Sequence, residues 1–171
     1  MAITKPQPTE YYMHFETYIS KVSHNNLPEA LKHSGQEVLT FLKSLPEEKH
    51  NYRYAEGKWT IKEVVAHLID CERIFVYRAL TIARKDKNAL PGFDEKEYAP
   101  ESNAVNRSME LLVEEYQYLH KSTILFFEGI TDEMSLRMGI AIGKEISVRA
   151  LGFAISGHEL HHLQVLKERY L

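Results

Sequence analysis

The segment GHELHHLQVLKERYL, Gly157 to Leu171, holds the residue types best suited to chemistry. Its HELHH fits H-E-x-x-H, in which two histidines one helical turn apart bind zinc and the glutamate between them acts as a general base. On a helix His158 and His162 share a face, and that face also carries Leu151, Ile155 and Val165. Adjacent buried imidazoles are costly unless they are hydrogen-bonded or bound to something that uses their lone pairs. A divalent metal is the common solution. A pair of satisfied core histidines is the plainer alternative. His161 falls on the flank with Gln164 and Glu168, as a surface residue or a support for a ligand.

A metalloprotease would need a third ligand downstream. In the metzincin pattern it stands six residues after the second histidine, behind a glycine that turns the chain; here those positions are Val165 and Glu168. An unbroken helix turns about 600° over that interval, which carries Glu168 off the metal face. Only nine residues follow His162, too few for a more distant glutamate ligand. The third ligand must come from upstream, as in a helical bundle. His67, in line with Val64, Cys71 and Ile74, and His120, in line with Tyr116, Thr123 and Phe127, both fit by phase. Periodicity does not choose between them. His14, His24, His33 and His50 lie in terminal or boundary regions and read as surface residues. Cys71 could be a soft ligand, but on an apolar stripe it reads as a small core hydrophobe.

The elements that must position these residues are helices. Val64, Leu68, Cys71, Phe75 and Ala79 recur at three- and four-residue steps behind the capping box TIKE, predicting a helix over about 60–85. Trp59, just before it, reads as a hydrophobic staple. Similar spacing predicts helices over about 105–128 and 146–169. A fourth begins after Asn26, with Pro28 in its first turn, and stops at Pro46. A short helix is expected within Glu10 to Val22. No segment alternates with period two for long enough to predict a sheet, the best candidate being MGIAIG, Met138 to Gly143. An all-α bundle follows. The connection over Lys85 to Asn103 is long for a helix link, which marks it as functional or as a crossover at the bundle's end.

The chain as a whole sets limits. Its 171 residues suit one domain over 1–171, with 44% hydrophobic and 26% charged residues. A formal net charge of -3 and the lack of a basic stripe argue against nucleic acid as a partner. A single cysteine excludes an internal disulfide, and no secretory leader is evident, so a cytoplasmic location is expected. No apolar stretch approaches the roughly 20 residues that span a bilayer, so no membrane partner is expected.

Three stretches, RYAEGKWTIKEVVAHLIDCERIFVYRAL, LPGFDEKEY and ISVRALGFAISGHELHHLQVLKERYL, together resemble the DinB-like (DNA-damage-inducible) proteins, which share their fold with the bacillithiol and mycothiol S-transferases. The match runs from about Tyr52 onward. The resemblance implies a four-helix bundle with a crossover, in which a histidine of the second helix and the H-x-x-x-H pair of the last bind zinc or nickel at one end. Those positions are His67, His158 and His162, which decides against His120. Three neutral imidazoles would leave the ion its full charge and open positions, so that a coordinated thiol or water becomes a nucleophile. The expected function is activation of a low-molecular-weight thiol for S-transfer to an electrophilic small-molecule substrate. Metal-dependent hydrolysis is the alternative, and a non-catalytic, metal-stabilised binding protein a further one. The resemblance also implies a homodimer and a stress-response setting. Glu159 is a weak catalytic candidate. Asp70 and Glu72 could orient a ligand imidazole, and Phe93, Asp94 and Tyr98 could line the mouth of the site.

Overall fold

Four long helices occur where the apolar periodicity puts them. The computed structural model describes residues 3–171. Its helices of four or more residues are α1 (Glu16–Ile19), α2 (Leu27–Ser44), α3 (Ile61–Ala83), α4 (Glu95–Glu101), α5 (Met109–Glu128), α6 (Asp132–Ser135) and α7 (Val148–Arg169). The caps explain the starts. Asn26 accepts the Glu29 amide with Pro28 in the first turn, Thr60 and Glu63 form the reciprocal capping box, and Ser108 and Ser147 cap α5 and α7. The short N-terminal helix is in fact three one-turn pieces, Pro8–Glu10, Met13–Phe15 and Glu16–Ile19.

The largest helix interfaces pair α2 with α7, α3 with α7, α3 with α5, and α2 with α5. Consecutive long helices α2 and α3 therefore stand at opposite corners of the bundle, as do α5 and α7. The connections 45–60 and 129–147 cross the bundle, whereas the long connection 84–108 joins neighbours and lays α4 against α3. None of these helices is long and apolar enough to cross a membrane.

The expectation of no sheet needs correction. Met138–Ala141 (β1) and Lys144–Ser147 (β2) form an antiparallel pair closed by Ile142 and Gly143, both at positive φ as a two-residue hairpin turn requires. The strands are too short for alternation to register. Main-chain bonds from Leu90 to Ile140 and from Ile142 to Leu90 tie the hairpin to the connection after α3.

Two apolar clusters make the core. One gathers Leu31, Phe75, Ile82, Phe127, Leu151 and Ile155, and the other Leu42, Ile61, Leu68, Leu112, Leu163 and Leu166. Between them lies a polar layer drawn from the middle of all four long helices.

Candidate metal centre

The capping box fixes where α3 starts, and so which of its residues face α7. His67, Cys71 and Phe75 follow at four-residue steps on that face, with Arg78 three residues further. On α7, His158 and His162 meet them. The His67 and His158 Nε2 atoms are 3.1 Å apart, and the His162 ring centroid lies 4.8 Å from that of His67 and 4.5 Å from that of His158. Two nitrogens on one tetrahedral zinc, each at ~2.0–2.1 Å, are about 3.3 Å apart, so the spacing fits a shared ion. Cys71 Sγ lies 3.6 Å from both ring nitrogens of His67, and Cys71, His67 and His158 bring donor atoms within 4.8 Å of one another, a set that His162 borders without joining.

The electrostatics suit the donors. Burial lowers the His67 pKa to about 4, against a weak opposing pull from Glu95. Burial and the neighbouring histidines lower His162 to about 3 and drive His158 well below its ordinary value. All three rings are neutral at neutral pH, with lone pairs free for a cation. Burial also raises the Cys71 thiol, which stays protonated unless a cation binds it.

The cluster opens on a cleft of about 250 Å³. The site therefore lies on the flank of the bundle, between the two apolar clusters, and not at its end: His158 is halfway along α7 and His67 in the second turn of α3. Trp59 is more than a staple, since its ring centroid stands 4.8 Å from that of His67 and it walls the cleft. Tyr12, Phe15 and Tyr18, from the N-terminal segment, form much of the opposite wall, with Tyr18 edge-on to His158 at 5.2 Å. His14 is exposed as expected but stands at the mouth, and His161 also lines it.

His120 is not part of this cluster. It is buried in the polar layer, where its Nδ1 lies 3.0 Å from both Glu72 Oε1 and Glu159 Oε1, and its Nε2 donates to the Leu31 carbonyl at 2.8 Å. Gly35 makes room for it, because a Cβ there would overlap the His120 ring. Burial opposes charge on this ring, but the two carboxylates hold its pKa well above the ordinary value. Glu72 thus orients an imidazole, though that of His120 and not a candidate ligand. Glu159 is 2% exposed and accepts bonds from Ser34 Oγ and Tyr116 OH, both at 2.5 Å, which turns it away from the cleft. It cannot serve the ion as general base from there. Asp70 misses the site as well, since it is part-exposed and faces Arg73 one turn on, at 3.7 Å.

Of the three loop candidates Phe93, Asp94 and Tyr98, Phe93 alone lines the cleft. Asp94 caps α4, accepting the Lys96 amide, and Tyr98 is 48% exposed with its ring packed on Phe93 from outside. Arg78, Glu95 and Ile142 line the cleft too, and nothing in the periodicity marked them.

The DinB superfamily model matches residues 30–166, most of the chain and all three histidines. The chain belongs to the DinB superfamily. A protein of Oceanobacillus iheyensis, named as a candidate metal-dependent hydrolase, is 27% identical over 126 residues, 72% of either chain. A Geobacillus thermodenitrificans protein of the same name is 28% identical over 106 residues, 62% of this chain and 56% of its own length. The structure of YfiT from Bacillus subtilis, described as a candidate metal-dependent hydrolase with an unusual four-helix bundle topology, superposes with a TM-score of 0.74 at 18% identity. That match covers 96% of this chain and 90% of YfiT. It supports the four-helix bundle fold.

Proposed function

We propose that this DinB protein is a metal-dependent hydrolase in which His67, His158 and His162 hold a divalent ion, zinc or nickel. The observation that carries the reading is the convergence of three neutral imidazoles, those of His67 and His158 buried and that of His162 half-buried, on an open cleft. Imidazole suits either metal, and no carboxylate among the donors would offset the ion's charge. When bound, such an ion polarises an electrophile and makes a nucleophile of a weak acid at neutral pH. The chain's own residues supply the rest. Trp59, Tyr18 and Phe75 wall off water around the histidines, and His161, kept below its ordinary pKa by burial, is a neutral base at the mouth able to take a proton from the attacking group.

Transfer of a small thiol is the second reading. The cleft favours it by size, because about 250 Å³ exceeds the ~30 Å³ of one water and leaves room for a co-substrate beside the acceptor. The names of the relatives put water first.

The test is the metal-to-protein ratio by elemental analysis, on protein purified without an immobilised-metal column. Near-stoichiometric metal is expected in wild type and in His120→Ala, and little in His67→Ala or His162→Ala. Retention in His162→Ala with loss in Cys71→Ala would replace His162 by Cys71 in the ligand set. Metal absent even after reloading would overturn the reading in favour of a binding protein. Turnover of ester and amide panels, compared with thiol and electrophile pairs, then separates water from thiol.

A further inference from the structure

Arg78 is 2% exposed, yet its guanidinium reaches the cleft wall. Its Nη2 donates to the Pro91 carbonyl at 2.7 Å, the one hydrogen bond the guanidinium makes among the described residues, and none of their ion pairs includes it. Arg149, also turned inward, is by contrast paired with Glu10. A buried cation without an anionic partner is expensive. The planar guanidinium has further N–H donors, in the fork geometry that matches a carboxylate.

The surroundings reinforce the point. Arg78 and Glu95 are the formally charged side chains on the cleft wall, and Glu95 is exposed to solvent. With a divalent ion on the histidines the cleft carries net positive charge. Along α3 the Cα atoms of His67 and Arg78 are about 16 Å apart, and an arginine side chain leans back toward the helix N-terminus. The cation therefore stands several atoms from the histidines, too far to share one functional group with them. Between the two lie the rings of Phe15, Tyr18 and Phe75.

We infer that the cleft takes a small carboxylate-bearing molecule, with the carboxylate on Arg78, an apolar or aromatic spacer against the rings, and the reacting bond at the histidines. This rests on the hydrolytic reading for what happens at the far end, while recognition of the carboxylate stands on Arg78 alone. A cleft of about 250 Å³ suits a molecule of modest size.

Phenylpropionate and its neutral analogue phenylpropionamide test this by ligand-observed NMR titration, into wild type, Arg78→Gln and Arg78→Lys, each with zinc and metal-free. The acid is expected to bind wild type about tenfold more tightly than the amide with or without zinc, as a charge-assisted bidentate contact gives. Arg78→Gln, which keeps an amide donor for Pro91, should abolish that preference. In 15N-labelled wild type, an arginine Nε–H signal absent from Arg78→Lys should move with the acid and not with the amide, a readout that stands even where Arg78→Gln does not fold. Equal affinities, no saturable binding of the acid, or a preference that survives in Arg78→Gln and disappears on removing zinc would overturn the inference. Turnover is not read, so an inactive protein with an intact acid preference would refute hydrolysis alone.

Discussion

Glu159 sits between two histidines in a motif that elsewhere makes it a catalytic base, and its neighbours here decide otherwise. Both its oxygens are occupied by groups of α2 and α5, through Ser34, Tyr116 and His120. Glu159→Gln should therefore act on stability. It removes one of the two carboxyl groups set against the buried His120 ring, at a cost of about 3 kcal/mol, since breaking one side of a buried pair is strongly destabilising. Denaturant titration should show this loss while metal content and turnover of the folded fraction stay near wild type. Lost turnover at unchanged stability would restore the protease-like role. The sequence could not separate these outcomes, because H-E-x-x-H records which residues are a turn apart and not what fills the space beside them. Spacing did reach His158 and His162, and left His67 and His120 equal by phase. The structure parts them, His67 against α7 and His120 among carboxylates. Arg78 was invisible for a related reason: an arginine at the edge of an apolar stripe looks like a solvated one.

Among the elements, the N-terminal segment contributes most to the cleft relative to its length. It docks on α7 where Gly157 has no side chain, and a Cβ there would overlap the Tyr18 carbonyl. Gly157→Ala should push the segment off, at a cost of about 1–3 kcal/mol for overpacking against backbone. Hydrogen exchange should then quicken over residues 8–22 and not in α3 or α5, and the wall formed by Tyr12, Phe15 and Tyr18 should loosen. Unchanged exchange there would show that the segment is held by something other than this contact. The long helices were legible because caps and a 3.6-residue period repeat over five or six turns. The N-terminal pieces and the hairpin were not, since one turn of helix or four residues of strand carry too few repeats, and their places are set by tertiary contacts such as Gly157 beneath Tyr18 and Leu90 beside Ile140.

At the scale of the whole molecule, the metal centre and the fold are separable. Both apolar clusters close without the candidate ligands, so the metal-free protein should still fold and melt cooperatively, unlike a domain whose metal is its core. The histidines do make that metal-free state acid-sensitive. Each has a folded pKa below the unfolded value near 6.5, so below 6.5 the unfolded chain binds more protons and stability falls as pH falls. The loss approaches 1.4 kcal/mol per pH unit for each of the three, until the folded values of about 4 for His67 and about 3 for His162 are reached. Glu72 runs the other way above its unfolded value near 4.5, because burial raises its pKa; His120, also raised, adds its loss only above about 6.5. Three groups outweigh one, and thermal melts of the metal-free protein should drop steadily from pH 7 to about pH 5. Saturating zinc should raise the melt at neutral pH, and the gain should shrink as acid protonates the donors and releases the ion. A melt indifferent to pH over that range would mean that the three imidazoles are solvated in solution, and with their burial would go the main argument that they are held ready for a metal.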